Sequence, residues 1–174
     1  MCLRSECMRT VALAAVPLTA DAFAPFGWIP VPDTDPGDGE HTLTYEWSDP
    51  HLNTIQHTFD EIDHGDDGAP HCDRFYRHDT HTQALMPLNV DAVVAVAPSA
   101  TEFRDLSDLD DVRAFVLHPQ DCFVLHRGTW HWGPFPLEAE PVRLLNVQGR
   151  GYADDNASVV LPDAVGAVIS VVVP

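Results

Sequence analysis

Lysine is absent from this chain of 174 residues, and its nine bases, all arginine, face 27 acidic residues. The formal net charge of −18 repels phosphate backbones, which disfavours nucleic acid as a partner. The bland reading of so much acid is a well-solvated surface. No apolar run reaches the ~18 residues that a membrane helix needs, so no membrane partner is expected. Cysteine is scarce: Cys2 and Cys7 lie near the start, and Cys72 and Cys122 stand alone without Cys-X-X-Cys spacing. That argues against a disulfide framework or a zinc knuckle and favours reduced thiols in a cytoplasmic protein. Repeats, low-complexity tracts and interdomain linkers are also missing. Residues 1–174 therefore read as a single domain, with 1–9 as a disordered or non-essential lead.

What the chain does contain is an apolar fraction of 45%, arranged as short strands between turns. The stretch from Thr10 to Pro17 follows Arg9 and superficially resembles a signal peptide, but it is short and runs straight into folded-looking sequence. Its Thr10–Val16 portion is read as a first strand. Thr19 caps a single helical turn that stops at Pro25-Phe26-Gly27. Trp28–Val31 is short and extended, and Pro32 to Gly39 is a loop. From His41 to Trp47 polar and apolar residues alternate with a period of two, a strand signature. Further strands are expected at Asn53–Phe59, Cys72–His78, Thr82–Pro87, Ala92–Ala97, Ala114–Leu117, Phe123–His126, Val142–Gln148 and Val165–Val173. A short helical turn capped by Ser107 runs to Val112. Many short strands without a long amphipathic helix point to a sandwich or closed barrel.

Two segments concentrate polar chemistry: Arg74 to Gln83, followed by Ala84 to Asn89, and Asp121 to Pro134. The second has the outline of a cupin motif, a strand ending in Pro-X-Gly-X-X-His. His126 stands at the Pro position, Gly128 at the Gly and His131 at the His. In the companion motif, a His-X-His pair is followed by a Glu. Here Tyr76 falls at the first His, His78 at the second, and Gln83 replaces the Glu. The expected fold is therefore all-β, a cupin-type double-stranded β-helix or jelly-roll barrel with short peripheral helices. The candidate metal set is His78, Gln83 and His131, without an anionic ligand, and His81 or Asp79 can substitute if the turn brings either inward. A metal site and a metal-free polar pocket both remain open. Strand alternation places Arg74, Tyr76 and His78 on one face and Arg77 on the other. Arg74 is then a candidate for bidentate carboxylate binding, with a surface salt bridge as the alternative. Trp130 and Trp132 read as core or pocket wall, and His41, His51, His57, His64, His71 and His118 as surface or loop.

These segments resemble the ureidoglycolate lyase (ureidoglycolate hydrolase) family of the cupin superfamily. The matching stretches are Leu18 to Gly27, Arg77-His78 with Thr82 to Pro87, Val93 to Pro98, Val112 to Val116 and Leu125 to Trp132. The resemblance implies a cytoplasmic homodimer that splits ureidoglycolate into glyoxylate and urea in allantoin and purine breakdown, with nickel as the associated divalent ion. Carried over residue by residue, Arg77, His78, Gln83, His126, Arg127 and His131 match the family pattern. His78, His131, Gln83 and His126 are the catalytic candidates. Arg74, Arg77, Arg127, Tyr76 and Trp130 are the substrate-binding candidates. Tyr76 stands where the family commonly has Glu, and Asp79 and His81 replace a Pro and a Gly.

Overall fold

The computed structural model describes residues 8–31, 42–45 and 49–174. The described strands are β1 (Arg9–Pro17), β2 (Gly27–Trp28), β3 (Pro50–His57), β4 (His71–Cys72), β5 (Arg74–Arg77), β6 (Gln83–Pro87) and β7 (Ala92–Ala97). They continue with β8 (Arg113–Leu117), β9 (Phe123–Leu125), β10 (Trp130–Pro136), β11 (Val142–Gly149), β12 (Ala157–Val160) and β13 (Ala167–Val172). Two short helices, α1 (Ala20–Phe23) and α2 (Leu161–Val165), lie at the periphery.

Hydrophobic pattern decides where each strand sits. In β11 Val142, Leu144 and Asn146 are buried and Arg143 is exposed, the alternation of a strand with one inward face. The unbroken apolar run of β7 is buried on both faces, and that strand lies centrally between β10 and β8. β1, the segment with a signal-like look, pairs in parallel with both β13 and β8 and is part of the sheet. α1 forms as expected, with the Thr19 side chain accepting from the Ala22 amide.

Several boundaries need correction. The turn before β8 is a 3-10 helix at Leu106–Asp111, capped by Asp105 rather than Ser107, because the Asp105 carboxylate accepts from the Ser107 amide. Val165 ends α2, and Gly166 turns left-handed before β13 starts. The strand read at Cys72–His78 is broken at Asp73 into β4 and β5, which pair with different neighbours. β10 and β12 were not expected as strands. β10 contains Gly133, Pro134 and Pro136, and it tolerates them through a register shift between Trp132 and Phe135. Of the alternating stretch at His41 to Trp47, residues 42–45 are described and form no strand, only an isolated bridge from Tyr45 to His81; the loop at Pro32 to Gly39 lies outside the described residues.

The strands form an eight-stranded sheet in the order β12-β5-β10-β7-β8-β1-β13-β4 and a five-stranded sheet in the order β2-β9-β6-β11-β3. The sheets curl into a half-barrel of the cupin type. One end of the space between them is filled by Phe23, Phe115, Phe123, Leu85, Val94 and Leu144. Phe23 meets Phe115 and Phe123 edge-on at 5.4 and 5.5 Å. Burying each such ring stabilises the fold by about 1.5–3 kcal/mol. A second apolar cluster, including Phe75, Phe103, Trp130 and Ile169, also packs on the eight-stranded sheet.

Candidate active site

β5 and β10 are neighbours, and His131 lies directly opposite Tyr76 in their register. The chain leaves β5 at His78, whose carbonyl accepts from the Gly128 amide at 2.7 Å, so the two polar segments are tied together. Gly128 takes φ of +77°, a conformation that favours glycine, and this turn delivers the chain into β10. Gly27 is required on steric grounds: a Cβ there would lie 1.8 Å from the Val124 carbonyl oxygen. Beside it, the Phe26 carbonyl accepts from the His126 amide and the Thr129 hydroxyl, anchoring the same turn.

Three imidazoles converge behind this junction. The rings of His78 and His131 are 5.4 Å apart and those of His78 and His81 are 4.6 Å apart and stacked. All three side chains are buried. His78 Nδ1 is 2.7 Å from the Asp155 carbonyl, and His131 Nδ1 is 3.2 Å from the Thr129 carbonyl. A carbonyl only accepts, so both Nδ1 atoms carry the hydrogen and each neutral ring presents a lone pair at Nε2. Burial, with His78 close by, lowers His131 to about 3 and His81 to about 4. Burial also lowers His78, against the opposing pull of the Asp155 backbone and charge. At neutral pH all three are uncharged acceptors.

Asp155 organises the group. Its carboxylate accepts from the Asp79 amide at 3.0 Å, the Thr80 amide at 2.8 Å and the Thr80 hydroxyl at 2.5 Å, and it lies 3.4 Å from His81 Nδ1. The hydrogen bonds from Thr80 and Asp79 outweigh desolvation and hold Asp155 below the usual carboxylate range. Neither ring nitrogen of His81 has a hydrogen-bond partner, although both are buried. His78, His81 and Asp155 offer ligand atoms within 4.8 Å of one another. Imidazoles with orphaned nitrogens beside a carboxylate fit a divalent transition-metal ion. Unlike the set expected from sequence, this group includes a carboxylate. His81 is inward, whereas Asp79 is exposed and paired with Arg77. No local signal marks Asp155, which reaches the site only through the fold.

A row of amides flanks the imidazoles. Gln83 donates to Asn146 Oδ1 at 2.9 Å and to Gln148 Oε1 at 3.2 Å, and Asn146 donates to Asn53 Oδ1 at 2.7 Å. Gln83 Oε1 is buried without a partner. The inward polar residues of β11 were legible as an alternation, but nothing in it showed that Gln83 would meet them.

A cavity of about 620 Å³ opens here between the two sheets. Of the expected site residues, His78, His131, Gln83, Tyr76 and Arg74 line it. Trp132 and Phe135 form part of its wall. The others lie elsewhere. Arg77 stacks over Trp130 at 4.6 Å and donates to the Ser99 carbonyl, because alternation turns it away from the cavity. Trp130 is buried with its Nε1 donating to the Thr101 carbonyl. His126 and Arg127 are exposed on the turn, where the His126 ring packs on Trp28 at 5.3 Å. Arg74 lines the cavity, but its Nε and Nη2 already hold Asp73 at 3.0 and 2.7 Å, the salt-bridge alternative. His57, read as surface, instead lines the cavity beside Glu61, with which it pairs at 2.7 Å. Sequence reasoning passed over Asp60, Glu61 and Asp63, which also line it.

The curled sheets and the imidazole-lined cavity between them define a cupin-type enzyme. A family model described as ureidoglycolate lyase matches residues 69–168, more than half of the chain, and the chain belongs to that family. No curated protein matches it in direct comparison. Family membership makes it a carbon–nitrogen lyase with a ureidoglycolate lyase-like function, acting on a small molecule. Among the described residues no helix is long and apolar enough to cross a membrane.

Proposed function

We propose that the protein splits ureidoglycolate into glyoxylate and urea, as a cytoplasmic homodimer serving allantoin and purine breakdown. The observation that carries this reading is the convergence of His78 and His131, distant in sequence, on one cavity. Ureidoglycolate carries a hydroxyl and a ureido nitrogen on the same carbon. Its elimination needs an acceptor for the hydroxyl proton and a donor for the departing nitrogen. His131 is the acceptor: its Nε2 lone pair is free of the Thr129 contact, and burial keeps the ring unprotonated. The same tautomer bars it from donating there. Tyr76, which lines the same cavity, is the donor. Gln83 orients the nitrogen end through its unpartnered Oε1.

His78, His81 and Asp155 would hold a divalent ion, nickel on family grounds. When bound, such an ion lowers the pKa of a chelated hydroxyl, which suits an acceptor as weakly basic as His131. His126 and Arg127, remote from the cavity lining, serve the turn that places His131. The test is urea release from ureidoglycolate with divalent metals supplied. His131→Ala is expected to lose at least about 10²-fold in turnover, and near-wild-type turnover in that variant would remove His131 from the reaction.

A further inference from the structure

We propose that the cavity is built for a small hydroxy acid whose nitrogen-bearing head is a guanidinium, the cationic counterpart of a ureido group. The inference deepens the lyase reading above and rests on it. Four carboxylates line the cavity (Asp60, Glu61, Asp63 and Asp73), with the guanidinium of Arg74 and the imidazole of His57, which pairs with Glu61 at 2.7 Å. Arg74 is committed to Asp73 through two nitrogens, at 3.0 and 2.7 Å. Arg77, the other arginine of β5, turns onto Trp130 instead. With Glu61 paired to His57 and Asp73 to Arg74, Asp60 and Asp63 are the carboxylates outside these pairs, and they make that side of the cavity negative.

Deeper in the cavity the hydrogen-bonding polarity agrees. Gln83 is 6% exposed, spends its amide hydrogens on Asn146 and Gln148, and leaves Oε1 buried and unpartnered on a residue that lines the cavity. Only an N–H or O–H donor satisfies that atom. His131 also presents a lone pair, since its Nδ1–H is held by Thr129. A ureido head also has N–H donors, but its carbonyl oxygen is a further acceptor beside Gln83 Oε1 and His131 Nε2. A guanidinium brings N–H donors all round and no acceptor, and its flat face stacks on aromatic rings. Tyr76, Trp132, Phe135 and Tyr152 supply such rings in the wall.

The reaction stays the same elimination. The hydroxyl loses its proton, the C–O bond becomes C=O, and the C–N bond breaks. Its electron pair and a proton go to the nitrogen, releasing guanidine and an aldehydo acid without any redox partner.

A matched pair of inert ligands tests head-group selection on the full chain: guanidinoacetate and N-carbamoylglycine, equal in shape and lacking the hydroxyl. Calorimetric titration is expected to show guanidinoacetate binding at least ~10-fold more tightly. In Asp60→Asn/Asp63→Asn that preference shrinks several-fold. Equal or tighter binding of the carbamoyl compound, a preference unmoved by the double variant, or no binding of either ligand would overturn the proposal. Cleavage assays separate the two readings. If guanidinoacetate is preferred but neither ureidoglycolate nor its guanidino counterpart is cleaved, the lyase reading fails and head-group selection stands. If ureidoglycolate is cleaved without any guanidino preference, the lyase reading stands and this inference fails.

Discussion

The same strands build both ends of the space between the sheets, yet the two ends are chemically opposite. On β6, Leu85 joins the apolar cluster, and Gln83, two residues away on the same face, joins the amide row. On β11, Leu144 and Asn146 divide in the same way. One end is closed by Phe23, Phe115 and Phe123, and the other holds imidazoles, amides and the cavity. A period of two makes a side chain point inward. Whether that inward residue is apolar or polar then decides between core and site.

The sharpest way to break this contrast is to cut into the apolar end. Phe123→Ala should cost about 3–5 kcal/mol in urea unfolding, through lost burial and an unfilled cavity. Gln83→Leu should cost less, about 1–3 kcal/mol, because it leaves the Asn146 and Gln148 oxygens unpaired but keeps the volume. If the Gln83 variant proves the less stable of the two, the polar end rather than the phenylalanine cluster holds the sheets together.

Next in size is Asp155→Ala. It removes both the anionic group near His81 and the turn contacts to Asp79 and Thr80. Nickel affinity by titration should fall at least about 10-fold. Wild-type affinity would take Asp155 out of the ligand set. Smaller again is Arg77→Ala, which removes the stacking on Trp130 and should cost about 0.5–2 kcal/mol with KM unchanged. A raised KM would put Arg77 back among the residues that meet substrate.

The smallest expected effect is one of pH. Unfolded histidines titrate near 6.5, whereas burial keeps His131 unprotonated down to about 3 in the fold. As pH falls below 6.5 the unfolded chain binds protons that the folded chain does not. The stability this neutral histidine contributes is therefore present above 6.5 and is lost as pH drops toward 3. Between pH 7.5 and 5.5, His131→Asn should lose less stability than the native chain. Parallel pH profiles for the two proteins would show that His131 titrates normally.

Much of the barrel was legible beforehand. The all-apolar run of β7 and the alternation of β11 announce a central strand and a one-faced strand, and both form where expected. The glycine turn at Gly128 marked His131 as an inward residue of the second motif, and it is buried on the cavity. β10 was hidden because Gly133, Pro134 and Pro136 are poor strand formers, and only a register shift against β7 accommodates them. Trp130, grouped with the substrate contacts but also read as core or pocket wall, lies in the core with its Nε1 donating to the Thr101 carbonyl, and Trp132 lines the cavity.

The positions of most strands, the inward imidazoles at 78 and 131 and the overall acidity follow from the sequence by itself, because a period of two, a glycine turn and a count of charges are local properties. The partners of those imidazoles were decided by tertiary structure. Asp155 meets His78 and His81, Gln83 meets Asn146, and Arg74 is claimed by Asp73. Except for that last pair, these contacts join residues from separate elements, and only the pairing of strands into two curled sheets brings them within bonding distance.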